Sequence, residues 1–130
     1  MIPAADWTDE WLTRPLPPEA RSCSGFAGEV LRVTFGLDIR LPDPMRGVRR
    51  SDGQIRRLSG DFARRTRKPE AGDGVLMECL GARALHGYHI GIHAGGGCVL
   101  HWMAGTGAVL HPIADLPSVG LQLEGFYRWI

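Results

Sequence analysis

The sequence predicts an α+β domain in which a cysteine-bearing helix packs against an antiparallel sheet. Three observations carry that prediction. An apolar stripe with helical spacing starts at Phe26, runs of alternating residues fill the second half, and the loop Ala94-Gly95-Gly96-Gly97 joins two of those runs. The 130 residues bound the answer to one domain, 1–130, large enough for a real core. At 44% hydrophobic and 22% charged, with net charge +1, no charge bias names a partner.

Asp6 to Leu12 reads as a short helix presenting Trp7 and Trp11. The following Arg14-Pro15-Leu16-Pro17-Pro18 must be extended, because proline fixes its own φ and restricts the residue before it. Trp11 and Leu16 either wall a substrate groove or pack into the core. Ser22 or Ser24 caps the main helix, whose stripe is Phe26, Val30, Leu31, Val33 and Phe35, and Gly36 ends it. Asp38-Ile39-Arg40-Leu41-Pro42 is a short extended piece. Arg46 to Lys68 then holds nine of the fifteen basic residues. Within it Ile55, Leu58 and Phe62 recur at helical intervals, which predicts a helix near Asp52 to Arg64 with arginines outside. That surface either binds an anionic polymer or is a solvated face. Nucleic acid is not an expected partner, since no aromatic residues interleave the arginines and no nucleic-acid motif is present.

Glu70-Ala71-Gly72-Asp73-Gly74 is a turn cluster leading into a buried strand, Val75 to Leu80. Tyr88 to His93 and Cys98 to Trp102 form an antiparallel hairpin about the glycine loop. If paired residues sum to 190 or 192, His89 and His101 share one sheet face, opposite or diagonal to each other. Gly91 leaves space beside them, while Ile90, Ile92, Leu100 and Trp102 point the other way. Val109 to Ile113 and Gly125 to Ile130 supply two more strands. His93 falls on the His89 face but nearer the loop and is expected to meet solvent. His86, in its loop, is not expected to reach the cleft rim, and His111 beside Pro112 reads as an ordinary strand-end residue.

Cys23 stands at the helix start, where unpaired backbone N–H groups and the positive end of the macrodipole favour a thiolate. The alternative is a small buried hydrophobe. Cys23, Cys79 and Cys98 are an odd count without CxxC spacing, which argues against a disulfide scaffold and against a cysteine zinc site. One cysteine and two close histidines are the parts of a thiolate–imidazolium site, and also a possible zinc ligand set. The reading adopted needs neither metal nor cofactor. No run approaches the ~18 apolar residues of a membrane span, and Met1 to Leu12 carries three acids and no base, so no secretory signal is read. Cytoplasmic residence in the producing cell, or export by a non-classical route, is the expectation, without membrane insertion.

Cys23-Ser24-Gly25-Phe26, followed by a helix ending in Phe35-Gly36 and then Leu41-Pro42, resembles the nucleophile segment of the NlpC family of papain-like cysteine peptidases. Pro69 to Leu76 resembles that family's proline-glycine-aspartate entry into its first strand. His89-Ile90-Gly91-Ile92-His93 and Gly97-Cys98-Val99-Leu100-His101 resemble its histidine strand and the strand carrying its third polar residue. With Trp11 and Glu124 to Arg128, the similarity spans nearly the whole chain and is closest in character to small members among phage tail-assembly proteins. The resemblance implies a papain-like half-barrel of antiparallel strands with the cysteine helix packed on it. It implies hydrolysis of amide bonds in bacterial cell-wall peptides, with peptidoglycan as substrate and phage tail proteins as partners. Cys23 is then the nucleophile, His89 the general base and His101 its orienting group, with Ser22, Ser24, Trp11 and Tyr88 around the oxyanion hole and substrate. Ser22 stands where many members have aspartate, and Arg14-Pro15-Leu16 where they have an upstream tyrosine. A non-catalytic assembly protein and an amidase or acyltransferase on the same scaffold are the alternatives.

Overall fold

The computed structural model describes residues 7–39, 41, 63–80 and 88–130. They form an α+β fold: helices α1 (Asp9–Thr13) and α2 (Cys23–Phe35), then strands β1 (Ala63–Thr66), β2 (Gly74–Cys79), β3 (Tyr88–Gly95), β4 (Cys98–Met103), β5 (Gly107–Pro112) and β6 (Leu121–Trp129). The strands make one antiparallel sheet in the order β1-β6-β2-β3-β4-β5.

The sheet has two differently built faces. Leu76, Ile90, Ile92, Leu100 and Tyr127 point to the first, where they pack with Trp11, Phe26, Ala27, Val30 and Leu31. Val75, Met77 and Val99 point to the second and pack with Leu116 and Leu121, using the 3-10 segment Ile113–Val119 as a partial cover. This division follows from strand periodicity, since adjacent residues alternate faces.

Helix α2 buries Phe26, Val30 and Leu31 of the expected stripe and leaves Val33 exposed. Ser22 is the N-cap, its Oγ accepting from the Gly25 N–H at 3.0 Å, and Gly36 at φ 69° closes the other end. A Cβ at Gly25 would stand 2.1 Å from the Glu19 carbonyl oxygen, so glycine lets the helix start close on the 3-10 turn Pro18–Ala20. Trp11 is fully buried: its ring meets Phe26 edge-on at 5.8 Å and its Nε1–H donates to Thr34 Oγ1. It pins α1 to α2 and walls no groove. Leu16 is likewise buried.

The helix expected near Asp52 to Arg64 lies outside the described residues except at its end. There Ala63 and Arg64 belong to strand β1, which corrects the expectation for those positions. Ala63 is buried against the core, and Arg64 and Arg65 remain exposed on a sheet edge, where charge discourages pairing with another chain. Strand β6 also begins four residues earlier than the Gly125 start read from sequence.

Candidate active site

The β3–β4 hairpin turns through Gly96 and Gly97, both with positive φ (62° and 76°), as a tight two-residue hairpin loop of the I′ kind requires. Ile92 pairs with Leu100 and His93 with Val99, so the paired numbers sum to 192, one of the two registers expected. Continued along the strands, that register sets Gly91 opposite His101 and leaves His89 diagonal to it. The imidazoles meet as a result, His89 Nε2 lying 2.9 Å from His101 Nδ1 with the rings edge-on. Gly91 is essential to this approach, because a Cβ there would stand 2.9 Å from His101 Cβ and 2.6 Å from Val99 Cγ2.

A third histidine joins them. In the β4–β5 register Val99 pairs with His111 and His101 with Val109, so His111 is the next diagonal step. Its Nδ1 lies 2.9 Å from His101 Nε2. The reading of His111 as an ordinary strand-end residue is thereby corrected. The signal was present in the loop: Gly105, at φ 83° in the turn between Met103 and Gly107, allows the even register that puts both imidazoles on one face.

His93 is corrected as well. It is buried on the second face, edge-on to Phe126 at 5.6 Å, rather than turned to solvent. Its Nδ1 is a buried nitrogen without a hydrogen-bond partner among the described residues. Burial lowers its pKa, against the opposing influence of the nearby Glu70 backbone and the charge of Asp73. His86 lies outside the described residues.

Burial pushes His89 down to about 4. His101, desolvated and flanked by two imidazoles, is pushed down to about 3. At neutral pH the rings of His89 and His101 are therefore uncharged. Because Nε2 of His89 faces His101, its other nitrogen, Nδ1, is the one directed elsewhere.

Cys23 is the first residue of α2 and is buried with the first-face cluster. The imidazoles rise from the second face, so the Cys23 thiol and the His89 imidazole lie toward opposite sides of the sheet. Their ends coincide nonetheless. The Phe26 ring packs 6.1 Å from that of Trp102, which the β3–β4 register sets beside Ile90, the neighbour of His89. Phe35, at the far end of α2, lies against Gly72, whose N–H donates to the His93 carbonyl. The helix thus runs along β3 in the same direction, and its start and that of β3 lie at one end of the sheet. Tyr88, the first residue of β3, and half-buried Ser24 are at this end; Ser22 spends its hydroxyl on the cap.

Among the described residues no group of three or more His, Cys, Asp or Glu is arranged to hold a metal ion. The contacting nitrogens of the three imidazoles face one another instead of converging on a point. None of the described helices is long and apolar enough to cross a membrane. No family model matches the chain, and no curated protein matches it in sequence.

Proposed function

We propose that this chain is a cysteine peptidase of the papain-like NlpC type, hydrolysing amide bonds in bacterial cell-wall peptides and delivered with a phage tail. The observation that carries this reading is the orientation of His89. Its Nε2 is engaged by His101, which makes Nδ1 the nitrogen not held by that contact, and β3 starts at the end of the sheet where α2 starts with Cys23. In this reading Nδ1 of His89 takes the thiol proton and the Cys23 sulfur attacks the scissile carbonyl. Backbone N–H groups at the start of α2 receive the oxyanion, each such donor being commonly worth about 3 kcal/mol. His89 then returns the proton to the leaving amine. Ser24 and Tyr88 border the substrate, whereas Trp11 contributes only by holding α1 on the helix.

The deciding experiment is incubation with purified peptidoglycan and mass spectrometry of the released fragments. Release by the native chain and none by Cys23→Ala is the expected result. Iodoacetamide at about pH 6 should label Cys23 ahead of Cys98, and His89→Ala should slow that labelling. Preferential labelling of Cys98, with no fragments released, sinks the reading.

A second reading is a non-catalytic assembly protein docking through its arginines. It is favoured by a cleft of about 380 Å³ lined by Arg64, Arg65, Thr66, Arg128, Trp129 and Ile130.

A further inference from the structure

His101 makes two contacts of equal length, and a catalytic triad uses only one of them. Its Nδ1 faces His89 Nε2 and its Nε2 faces His111 Nδ1, each at 2.9 Å. The three rings form a hydrogen-bonded line from β3 across β4 to β5. A neutral imidazole carries one N–H and one lone pair, and every link needs a donor and an acceptor. Only two proton arrangements satisfy both links with all rings neutral. In the first, His89 Nε2–H donates to His101 Nδ1, His101 Nε2–H donates to His111 Nδ1, and His111 keeps its proton on Nε2. In the second every proton sits on Nδ1, and donation runs from His111 through His101 to His89. The first arrangement is the one in which His89 Nδ1 is bare and basic.

The ends of the line differ. His101 is fully buried and His89 is 8% exposed, while His111 is only partly covered and stands on the edge strand β5. We propose that His111 is the solvent-side end of a proton relay, connecting the buried base His89 to bulk water through His101. The inference rests on the reading of His89 as the site's base. When His89 Nδ1 accepts the thiol proton, its Nε2 proton passes to His101 Nδ1. The His101 Nε2 proton passes to His111 Nδ1, and the His111 Nε2 proton leaves to water. One proton has moved from sulfur to solvent, and three neutral rings stand in the second arrangement. Return of the Nδ1 proton of His89 to the leaving amine draws the protons back one step each, and His111 recovers its Nε2 proton from water. Burial gives the relay its purpose, since an imidazolium held at His89 or His101 is disfavoured there.

The test reads the protons themselves. Long-range ¹H–¹⁵N correlation of the labelled chain at neutral pH should show His89, His101 and His111 as neutral rings with one tautomer throughout. Mixed tautomers overturn the proposal. Exchange of the His101 ring N–H with water should slow about tenfold or more in His111→Phe. It should slow equally in His111→Gln, whose amide can still hydrogen-bond His101 but cannot pass a proton. Unchanged exchange in either folded variant overturns the relay. On peptidoglycan, both variants should lower kcat with KM unchanged, and added imidazole should restore His111→Gly. If the native chain releases no fragments while tautomers and exchange behave as stated, the peptidase reading falls and the relay stands.

Discussion

The two faces of the sheet solve the same burial problem by different chemistry. Under α2 the first face is aliphatic and aromatic and is held mainly by apolar contact, with the Trp11 indole donating to Thr34 at its border. The second face buries His89, His93 and His101 among Val75, Met77 and Val99; His101 satisfies both of its nitrogens, and His89 one, on other imidazoles. A buried polar group without a partner costs about 1 to 3 kcal/mol, so the second face is stable only while its rings stay aligned and uncharged. The first face tolerates small errors of shape; the second is sensitive to protons and to single methyl groups.

The largest effect should come from breaking the first face. Phe26 touches Trp11 and Trp102 and is fully buried, so Phe26→Ala should remove about 3 to 5 kcal/mol in urea denaturation. Acid should break the second face selectively. The folded values of His89 and His101, about 4 and about 3, lie below the ordinary 6.5. Unfolding then takes up protons at acid pH, and stability present above pH 6.5 is lost as pH falls toward 4. His89 alone accounts for a loss on the order of 3 kcal/mol. A Phe26→Ala chain should keep this slope, whereas the double variant His89→Leu, His101→Leu should flatten it. An unaltered slope in the double variant would assign acid sensitivity elsewhere.

A smaller change tests the fit between rings. Gly91→Ala introduces a Cβ 2.6 Å from Val99 Cγ2 and 2.9 Å from His101 Cβ, and should lower stability by about 1 to 3 kcal/mol. The same variant should shift the ¹⁵N signals of His101 and its two ring partners together. Destabilisation without those shifts would mean that Gly91 serves only the packing of Val99.

What could be read in advance follows the same division. The stripe of α2, except for the exposed Val33, its Ser22 and Gly36 caps and the hairpin register are encoded over short spans, and they match the structure. His89 beside His101 followed from that register alone. The link to His111 needed a second register across the β4–β5 turn, and the burial of His93 needed Phe126 from a distant strand. The β4–β5 register is a local feature about the turn at Gly105, whereas the contact with Phe126 is not a property of local sequence. The placement of α2 is also tertiary, because hydrophobic periodicity says that a helix packs but not on which side of the histidines. Strand β1 was missed because Arg64 and Arg65 are charged on both successive positions. Its strand state comes from the pairing Arg64–Arg128 and Arg65–Tyr127 with β6.

The smallest effect on folding, and the sharpest test of the assembly reading, concerns those arginines. Arg65 is already engaged by Glu124 and the Tyr127 hydroxyl, and Arg128 by Asp73 at 3.0 Å, so two of the three guanidinium groups in the cleft are matched within the chain. Arg64 has no ion-pair partner among the described residues. Exposed pairs of this kind are worth at most about 1 kcal/mol, so replacing Arg56, Arg57, Arg64 and Arg65 with glutamine should leave Tm nearly unchanged. Retention on an anionic column separates the readings. Docking to an anionic partner requires retention to fall well beyond the loss of four dispersed charges, with cleavage of small peptides intact. Shuffling the same number of Arg→Gln changes to positions outside 46–68 sets that baseline, and equal retention by the two variants leaves the arginines as solvating charge.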